Sequence, residues 1–322
     1  DVCSSDLFYA ATPRFLSQMM NGRKKYHRRQ FIRDQVMYMA TKWFGNDATS
    51  DQIMFRCNTP AEAVVTPNYT LHLTPYSDMY LSIMFGATSR TQVRAKAGQQ
   101  YSIDCPFSTM DDTAVLIYGA SRIQSVGDLS TCYIHDNDFS KASKLRTLVI
   151  GNTTEGYTNT FLTTLNMGNN TLLQTLDIRN APNLTGTLDV TNCPNLESLE
   201  ARGTALTGVT FAPGGKITHA HLPAISSITI KNLLYLTDLT IADYTNLIRI
   251  VAENCPTVDL VDMITRATNL RRLRATVVDW TVEDSWLKAL LSLAGVDAGG
   301  YETNQSVLTG IAHLAATDTF TL

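Results

Sequence analysis

The sequence predicts a mainly β protein whose central part is a solenoid of short, repeated strands. Three observations support this fold class. Apolar residues recur in the form L-x-x-L-x-I about every eleven residues from position 145 onward. Shorter alternating segments separated by turn residues fill positions 51 to 119, and stretches with helical spacing flank the β-rich region on both sides.

Composition excludes several classes of protein. The chain has 322 residues and a formal net charge of -3, and it contains no run of 18 apolar residues, so no membrane-spanning segment is predicted. Setting Cys3 aside leaves five cysteines at irregular separations, which argues against a disulfide framework or a C-x-x-C zinc site and favours a reducing compartment. The acidic balance predicts no nucleic-acid partner.

Residues 1–16 are interpreted as a lead-in outside the fold. The first seven residues, DVCSSDL, resemble the in-frame translation of a sequencing-adapter oligonucleotide. We therefore expect the chain to be a fragment whose true N-terminus is missing, with an ordinary disordered tail as the alternative.

Residues 17–50 are predicted to hold an amphipathic helix, because Phe31, Val36 and Trp43 are among apolar residues that recur at roughly helical spacing. The basic run from Arg23 to Arg33 is interpreted as a solvated face of this helix. Binding of nucleic acid or an acidic partner is the alternative.

Residues 51–120 are predicted to form a small antiparallel β-sandwich. Six β-rich segments, such as IMFRC at 53–57 and AVLIY at 114–118, alternate with turn residues.

The repeat region is predicted to span residues 121–280. From position 162, units start at 173, 185, 196, 206, 217, 225, 236 and 247, and the unit at 185 is the weakest match. Three apolar positions per unit cannot offset backbone ordering at about 1–2 kcal/mol per residue, so the units must stack, each strand pairing with the next copy above it. Eleven residues is about half of the 20–29 in a leucine-rich repeat, which predicts a leucine-rich-repeat-like solenoid with two short strands per coil.

Turns after several units carry asparagine beside a small residue, as in NAPNL at 180–184 and NCPNL at 192–196. An asparagine side chain can bond backbone amides that a turn leaves unpaired. The two cysteines of these turns are predicted to be buried, unreactive thiols. The predicted corner residues are Asn180, Asn192, Cys193, Asn232, Asn254 and Cys255.

Residues 281–322 are predicted to form a C-terminal capping helix and the start of a further, truncated strand. Thr281 and Asp284 resemble a capping box, and Trp286, Leu287 and Leu290 follow at helical spacing. Such a helix would cover the open end of the solenoid.

The segment His219-Ala220-His221 places two imidazoles on one face of a strand, a geometry that could hold a metal ion. No third ligand is evident near them in the sequence, and Ala220 and Leu222 take the inward positions. The sequence therefore favours two surface histidines and predicts no metal, no cofactor and no catalytic residue.

Polar residues predominate at the outward strand positions of the repeat. Repeat proteins use such a face to bind extended partners, although every solenoid has a solvated face. The predicted binding face comprises Thr147, Asp177, Glu200, Arg202, His219, His221, Thr229, Thr240 and Arg249.

Five segments carry a family resemblance: LDIRNAPNLTGTL at 176–188, ALTGVTFAPGG at 205–215, HLP at 221–223, YLTDL at 235–239 and AGVDAGGY at 294–301. Over about residues 20–315 the chain resembles the minor structural proteins of tailed bacteriophages from gut communities. Its repeat portion is also similar to bacterial surface leucine-rich-repeat adhesins.

This resemblance implies a non-catalytic virion or tail-associated protein, assembled in the bacterial cytoplasm, with other virion proteins or a host surface protein or glycan as partners and no membrane contact. The alternative is a fragment of an adhesin on the bacterial cell surface. A third possibility is an enzyme whose catalytic domain lies outside this sequence.

Overall fold

The computed structural model describes residues 51–58, 70–86, 89–105, 112–127, 129, 132–151 and 158–276. The chain divides into two compact units, 1–50 and 51–322, and all described residues belong to the second. The predicted lead-in (1–16), amphipathic helix (17–50) and capping helix (281–322) lie outside the described residues.

Within the described residues, eight strands precede the repeats. They are β1 (Gln52–Cys57), β2 (Thr70–Pro75), β3 (Met79–Phe85), β4 (Ser89–Ala95), β5 (Tyr101–Asp104), β6 (Thr113–Tyr118), β7 (Ile123–Gly127) and β8 (Ile134–Asp138). Five of them form an antiparallel sheet in the order β4-β3-β6-β1-β8, here called sheet 1. Alternation of buried and partly exposed residues along β1 fits a sheet with one face on a core.

The structure does not support the separate sandwich predicted for residues 51–120. Strands β5, β2 and β7 lie in the same sheet as half of the repeat strands, in the order β16-β14-β12-β10-β9-β7-β2-β5. This is sheet 2. Strand β2 pairs antiparallel with β7, whereas β7 pairs parallel with the first repeat strand, so β7 joins the two architectures. The edge that a free sandwich would expose is thereby covered.

The repeats form a β-solenoid of about seven turns. In sheet 2 its strands are β9 (Thr147–Val149), β10 (Thr175–Asp177), β12 (Ser198–Glu200), β14 (His219–Leu222) and β16 (Asp238–Ile241). A second parallel sheet, sheet 3, contains β11 (Thr185–Val190), β13 (Ala205–Phe211), β15 (Ser227–Lys231), β17 (Arg249–Glu253) and β18 (Arg272–Thr276).

Consecutive units of the repeat alternate between the two sheets, which confirms two short strands per coil. The pairing partner of a strand is therefore the unit two places along and not the adjacent eleven-residue unit. The central apolar residues of alternate units lie side by side: Leu148, Leu176, Leu199, Ala220 and Leu239 in sheet 2, and Leu188, Val209, Ile228, Ile250 and Leu273 in sheet 3.

These two apolar columns form the core between the sheets. Leu148, Leu176, Leu199 and Ile228 have no solvent-exposed surface. Full burial of such a side chain is worth about 1.5–3 kcal/mol, and one strand supplies only two or three of them. The weak unit at 185 is a genuine strand, although its first residue, Thr185, is exposed and Leu184, just before the strand, is buried.

Two departures from the repeat occur. The unit at 162 contributes buried Leu162 and Met167 but forms no strand. After β17, helix α1 (Leu260–Arg266) replaces a strand, with Asp259 at its N-cap accepting a hydrogen bond from the amide of Asp262. The repeat pattern does not predict this helix, although Asp259 and Asp262 are residues favoured at a helix start.

The predicted corner asparagines divide into two groups. Asn180, Asn232 and Asn254 adopt the left-handed backbone conformation, with φ of 59°, 54° and 50°, which asparagine tolerates better than most residues. Asn192 is exposed and does not adopt that conformation.

The two predicted corner thiols also differ. Cys193 is 2% exposed, as predicted, and Cys255 is only half-buried. Burial raises the pKa of both thiols, that of Cys193 to about 11. Both are therefore neutral near pH 7, in keeping with structural roles.

Candidate functional site

The outward face of sheet 2 presents two columns of side chains, one on each side of the apolar column. One column is Thr147, Thr175, Ser198, His219 and Asp238. The other is Val149, Asp177, Glu200, His221 and Thr240. Neighbouring strands in a sheet are about 4.8 Å apart, so side chains within a column are in reach of each other.

The structure divides the predicted binding face between two sheets. Six of its residues, Thr147, Asp177, Glu200, His219, His221 and Thr240, lie on strands of sheet 2. Arg202 follows β12 and is exposed. Thr229 and Arg249 belong to β15 and β17 of sheet 3, so they do not share a surface with the others.

Both histidines of β14 point outward, as the sequence predicts. Ala220 and Leu222 are fully buried, whereas His219 and His221 are partly exposed. The imidazole centroids are 4.0 Å apart. The small side chain of Ala220 takes the core position in a column otherwise filled by leucine.

Carboxylates from the two neighbouring strands enclose this histidine pair. Glu200 Oε1 on β12 lies 2.9 Å from His219 Nε2 and 3.1 Å from His221 Nδ1. On the other side, Asp238 Oδ2 on β16 lies 2.7 Å from His219 Nδ1 and 3.3 Å from His221 Nε2. These four residues are named here the histidine-carboxylate cluster.

No third ligand is near the two histidines in the sequence, but the fold brings Glu200 beside them. Glu200, His219 and His221 each offer a ligand atom, and these atoms lie within 4.8 Å of one another. Asp238 was missed altogether. Aligning alternate units of the repeat, LESLEA at 196–201, ITHAHL at 217–222 and LTDLTI at 236–241, would have placed all four residues in adjacent columns.

The carboxyl groups of the cluster are held in their anionic form. Burial opposes ionisation of Glu200, but the hydrogen bond to His219 and the charges of His221, Arg179 and Arg202 outweigh it, so the pKa of Glu200 is below its usual range. Slight desolvation would raise the pKa of Asp238, but the charges and hydrogen bonds of His219 and His221 outweigh it, so this pKa is also lowered.

A second ion pair lies one strand further along. Asp177, nearly buried on β10, accepts hydrogen bonds from Arg179 Nε at 2.9 Å and Nη2 at 2.6 Å. These bonds raise the pKa of Arg179. A Cβ at Gly151 would collide with the Asp177 carboxylate and the Arg179 backbone, so the glycine is required for this close packing. The pair is a fixed, bidentate feature of the face.

The cysteine thiols whose pKa is shifted are not activated as nucleophiles. Hydrogen bonding to Cys132, together with burial, raises the pKa of Cys57, and burial raises those of Cys193 and Cys255. A nucleophilic cysteine requires the opposite shift, because the thiolate is the reactive form.

Comparison with known proteins returns no match to a family model, to a curated protein or to a solved structure. Among the described residues, no helix has the length and apolar character needed to span a membrane. The class of this protein is therefore defined only by its fold and site. It is a β-solenoid protein with a polar outer sheet face that holds a histidine-carboxylate cluster.

Proposed function

We propose that this chain is a non-catalytic binding or display module of a tailed-bacteriophage virion, built on a leucine-rich-repeat-like solenoid. The outer face of sheet 2 is its contact surface. The partner is an extended protein or glycan on the host surface, or another virion protein.

One observation carries the binding part of this proposal: apart from Val149, the two parallel columns on the outer face of sheet 2 consist of charged, imidazole and hydroxyl side chains. Strand register fixes the spacing of these groups along the face, so the backbone need not be reordered on binding. Flat, repetitive hydrogen-bonding surfaces suit partners that are themselves extended. The raised thiol pKa values of Cys57, Cys193 and Cys255 support a role without nucleophilic chemistry.

The binding part of the proposal is tested with the full chain carrying a fluorescent label. Thr147→Arg with Thr175→Arg places two bulky charges in one column of sheet 2, and Thr229→Arg on sheet 3 is the matched control. We expect the unmodified chain and the control to bind host cells or purified virion proteins, and the double variant to lose at least 10-fold in affinity. Equal binding by both variants would exclude sheet 2 as the contact surface.

The virion part is tested separately by genome context. Neighbouring genes for capsid, portal or tape-measure proteins support a phage component. An isolated cell-wall locus contradicts it and favours the second candidate, a bacterial cell-surface leucine-rich-repeat adhesin, which the same polar face would also serve.

A further inference from the structure

We infer that the histidine-carboxylate cluster is a binding site for a divalent first-row transition metal ion of the zinc class. Its ligands are Glu200 Oε1, His219 Nε2 and His221 Nδ1, and Asp238 positions the two imidazoles from behind. The site goes beyond the proposed function and does not depend on which partner sheet 2 contacts.

The number of protons that the two imidazole rings can carry, compared with their contacts to carboxylates, indicates a bound cation. All four ring nitrogens of His219 and His221 lie within 3.3 Å of a carboxylate oxygen. A neutral imidazole has only one N–H, and its other nitrogen carries a lone pair. With both rings neutral, two lone pairs therefore face anionic oxygens, and with one ring protonated one lone pair still does, which is repulsive. With both rings doubly protonated, two cations lie with their centroids only 4.0 Å apart, at an interplanar angle of 50°.

A metal ion beside Glu200 removes both conflicts. The lone pairs of His219 Nε2 and His221 Nδ1 then point to the ion, and the opposite nitrogens donate to Asp238. A carboxylate accepting from the remote N–H of a ligating histidine is the usual arrangement around protein-bound zinc. His221 Nδ1 fits this role, since it is buried and makes no hydrogen bond despite lying 3.1 Å from Glu200 Oε1.

Two of the three separations between ligand atoms are close to those around a single ion, and all three ligand atoms lie within 4.8 Å of one another. Zinc lies about 2.0–2.1 Å from histidine nitrogen, so tetrahedral ligand atoms are about 3.3 Å apart. The 2.9 Å and 3.1 Å separations from Glu200 Oε1 need to change by only a few tenths of an ångström. Meanwhile Arg202 Nη2 lies 3.2 Å from the other oxygen, Oε2, and orients the carboxylate without occupying Oε1.

Donor type and exposure select the class of metal. Two imidazoles and one carboxylate suit zinc and its neighbours, whereas calcium and magnesium prefer oxygen ligands throughout. Glu200 is less exposed than Asp238, 13% against 48% of the side chain, so the ion sits on the more protected side. Partial exposure of His219 leaves a fourth coordination position open, as in zinc sites that bind a further ligand.

The test is calorimetric titration of the full chain, stripped of metal by chelator, with zinc chloride. We expect a saturable site that calcium does not fill. His221→Ala should weaken this site at least 100-fold, and Asp238→Ala, which removes only the positioning group, by about 10–100-fold. His72→Ala is the matched control, because His72 lies on β2 of the same sheet and contacts Ser102; it should bind zinc like the unmodified chain.

A second measurement uses the unmodified chain and does not depend on the variants folding. Zinc should protect His219 and His221, but not His72, from acylation by diethyl pyrocarbonate, as read by peptide mass spectrometry. The inference fails if zinc changes none of these modification rates, or if the His221→Ala chain folds and still binds zinc with unchanged affinity. Failure of either kind leaves the partner-binding test of sheet 2 unaffected.

Discussion

Asparagines in the turns of the solenoid have two different structural roles. Asn180, Asn232 and Asn254 supply the left-handed backbone conformation. Others tie one coil to the previous one: the side-chain amides of Asn183, Asn195 and Asn269 donate to the carbonyls of Thr160, Thr171 and Thr245, at 2.6, 2.7 and 2.9 Å. Each residue of the second group directly precedes a buried leucine, which is Leu184, Leu196 or Leu270.

Asn195→Ala removes one of these inter-coil hydrogen bonds. We expect the free energy of unfolding to fall by about 1 kcal/mol, the usual net value of one such bond. Urea denaturation followed by circular dichroism measures it. Asn192→Ala, in the same turn but exposed, is the control and should change the unfolding free energy by less than about 0.5 kcal/mol. Equal losses for the two variants would contradict a specific role for Asn195.

Cys193 is expected to resist alkylation while the protein is folded. Burial, with a smaller contribution from Asp189, raises the pKa of this thiol from 9.0 to about 11, so thiolate is scarce at pH 8. Peptide mass spectrometry after iodoacetamide treatment should find Cys193 unmodified in the native chain and modified in guanidinium. Rapid native alkylation would show that the thiol is accessible.

The same shift predicts a dependence of stability on alkaline pH. The pKa is higher in the folded state, so the neutral thiol's contribution is complete below pH 9.0 and is lost as the pH rises toward about 11. Cys193→Ala lacks this group. Between pH 8 and pH 10.5 it should lose less unfolding free energy than the unmodified chain, as measured by urea denaturation.

At the scale of the element, individual strands are very short. Strands β9, β10 and β12 have three residues each, and such a strand cannot persist without neighbours. Apolar spacing therefore identifies the strands, but their stability comes from the columns they join.

Ile228→Ala on β15 tests the apolar column of sheet 3. The side chain is fully buried, and its removal leaves a cavity between Val209 and Ile250, so we expect a loss of about 2–5 kcal/mol in unfolding free energy. Thr229→Ala, the next residue on the same strand and on its outer face, should cost under about 1 kcal/mol. Thermal and urea unfolding of both variants measures these losses. An equal loss of unfolding free energy for Thr229→Ala and Ile228→Ala would contradict the assignment of inner and outer faces.

The elements that sequence reasoning missed are those without the periodic signal. Helix α1 is only seven residues long and interrupts the repeat, while its apolar residues Leu260, Met263 and Ile264 were not part of any unit. Strand β7 was not recognised as a junction, because parallel pairing with β9 depends on contacts between residues more than twenty positions apart. Local patterns do not report such contacts.

On the scale of the whole molecule, the solenoid is built from coils and not from single units. One coil comprises a strand of sheet 2 and the following strand of sheet 3. Nearest-neighbour stacking of this kind makes the number of coils variable without disturbing the register of those that remain.

Deletion of residues 196–216 removes one full coil, β12 with β13, and brings β10 against β14. We expect this variant to fold, with a β-type circular dichroism spectrum and cooperative thermal unfolding. Deletion of 196–204 removes β12 but not β13, which is only half a coil, and would force a sheet 3 unit into sheet 2. That variant should aggregate or unfold at a much lower temperature, and equal folding of both variants would contradict two strands per coil.

The residue pattern predicts most of the repeat strands and their inward residues, and it predicts that His219 and His221 point outward. The exceptions are the unit at 162, which forms no strand, and Thr185, which is exposed. Those properties depend on spacing within six residues, where alternation of side chains is fixed by covalent geometry. Only the tertiary structure decided which units become neighbours, because pairing runs between alternate units on two sheets. For that reason Glu200 and Asp238, each some twenty residues from the histidines, join them in one cluster, whereas Thr229 and Arg249 lie on a different face.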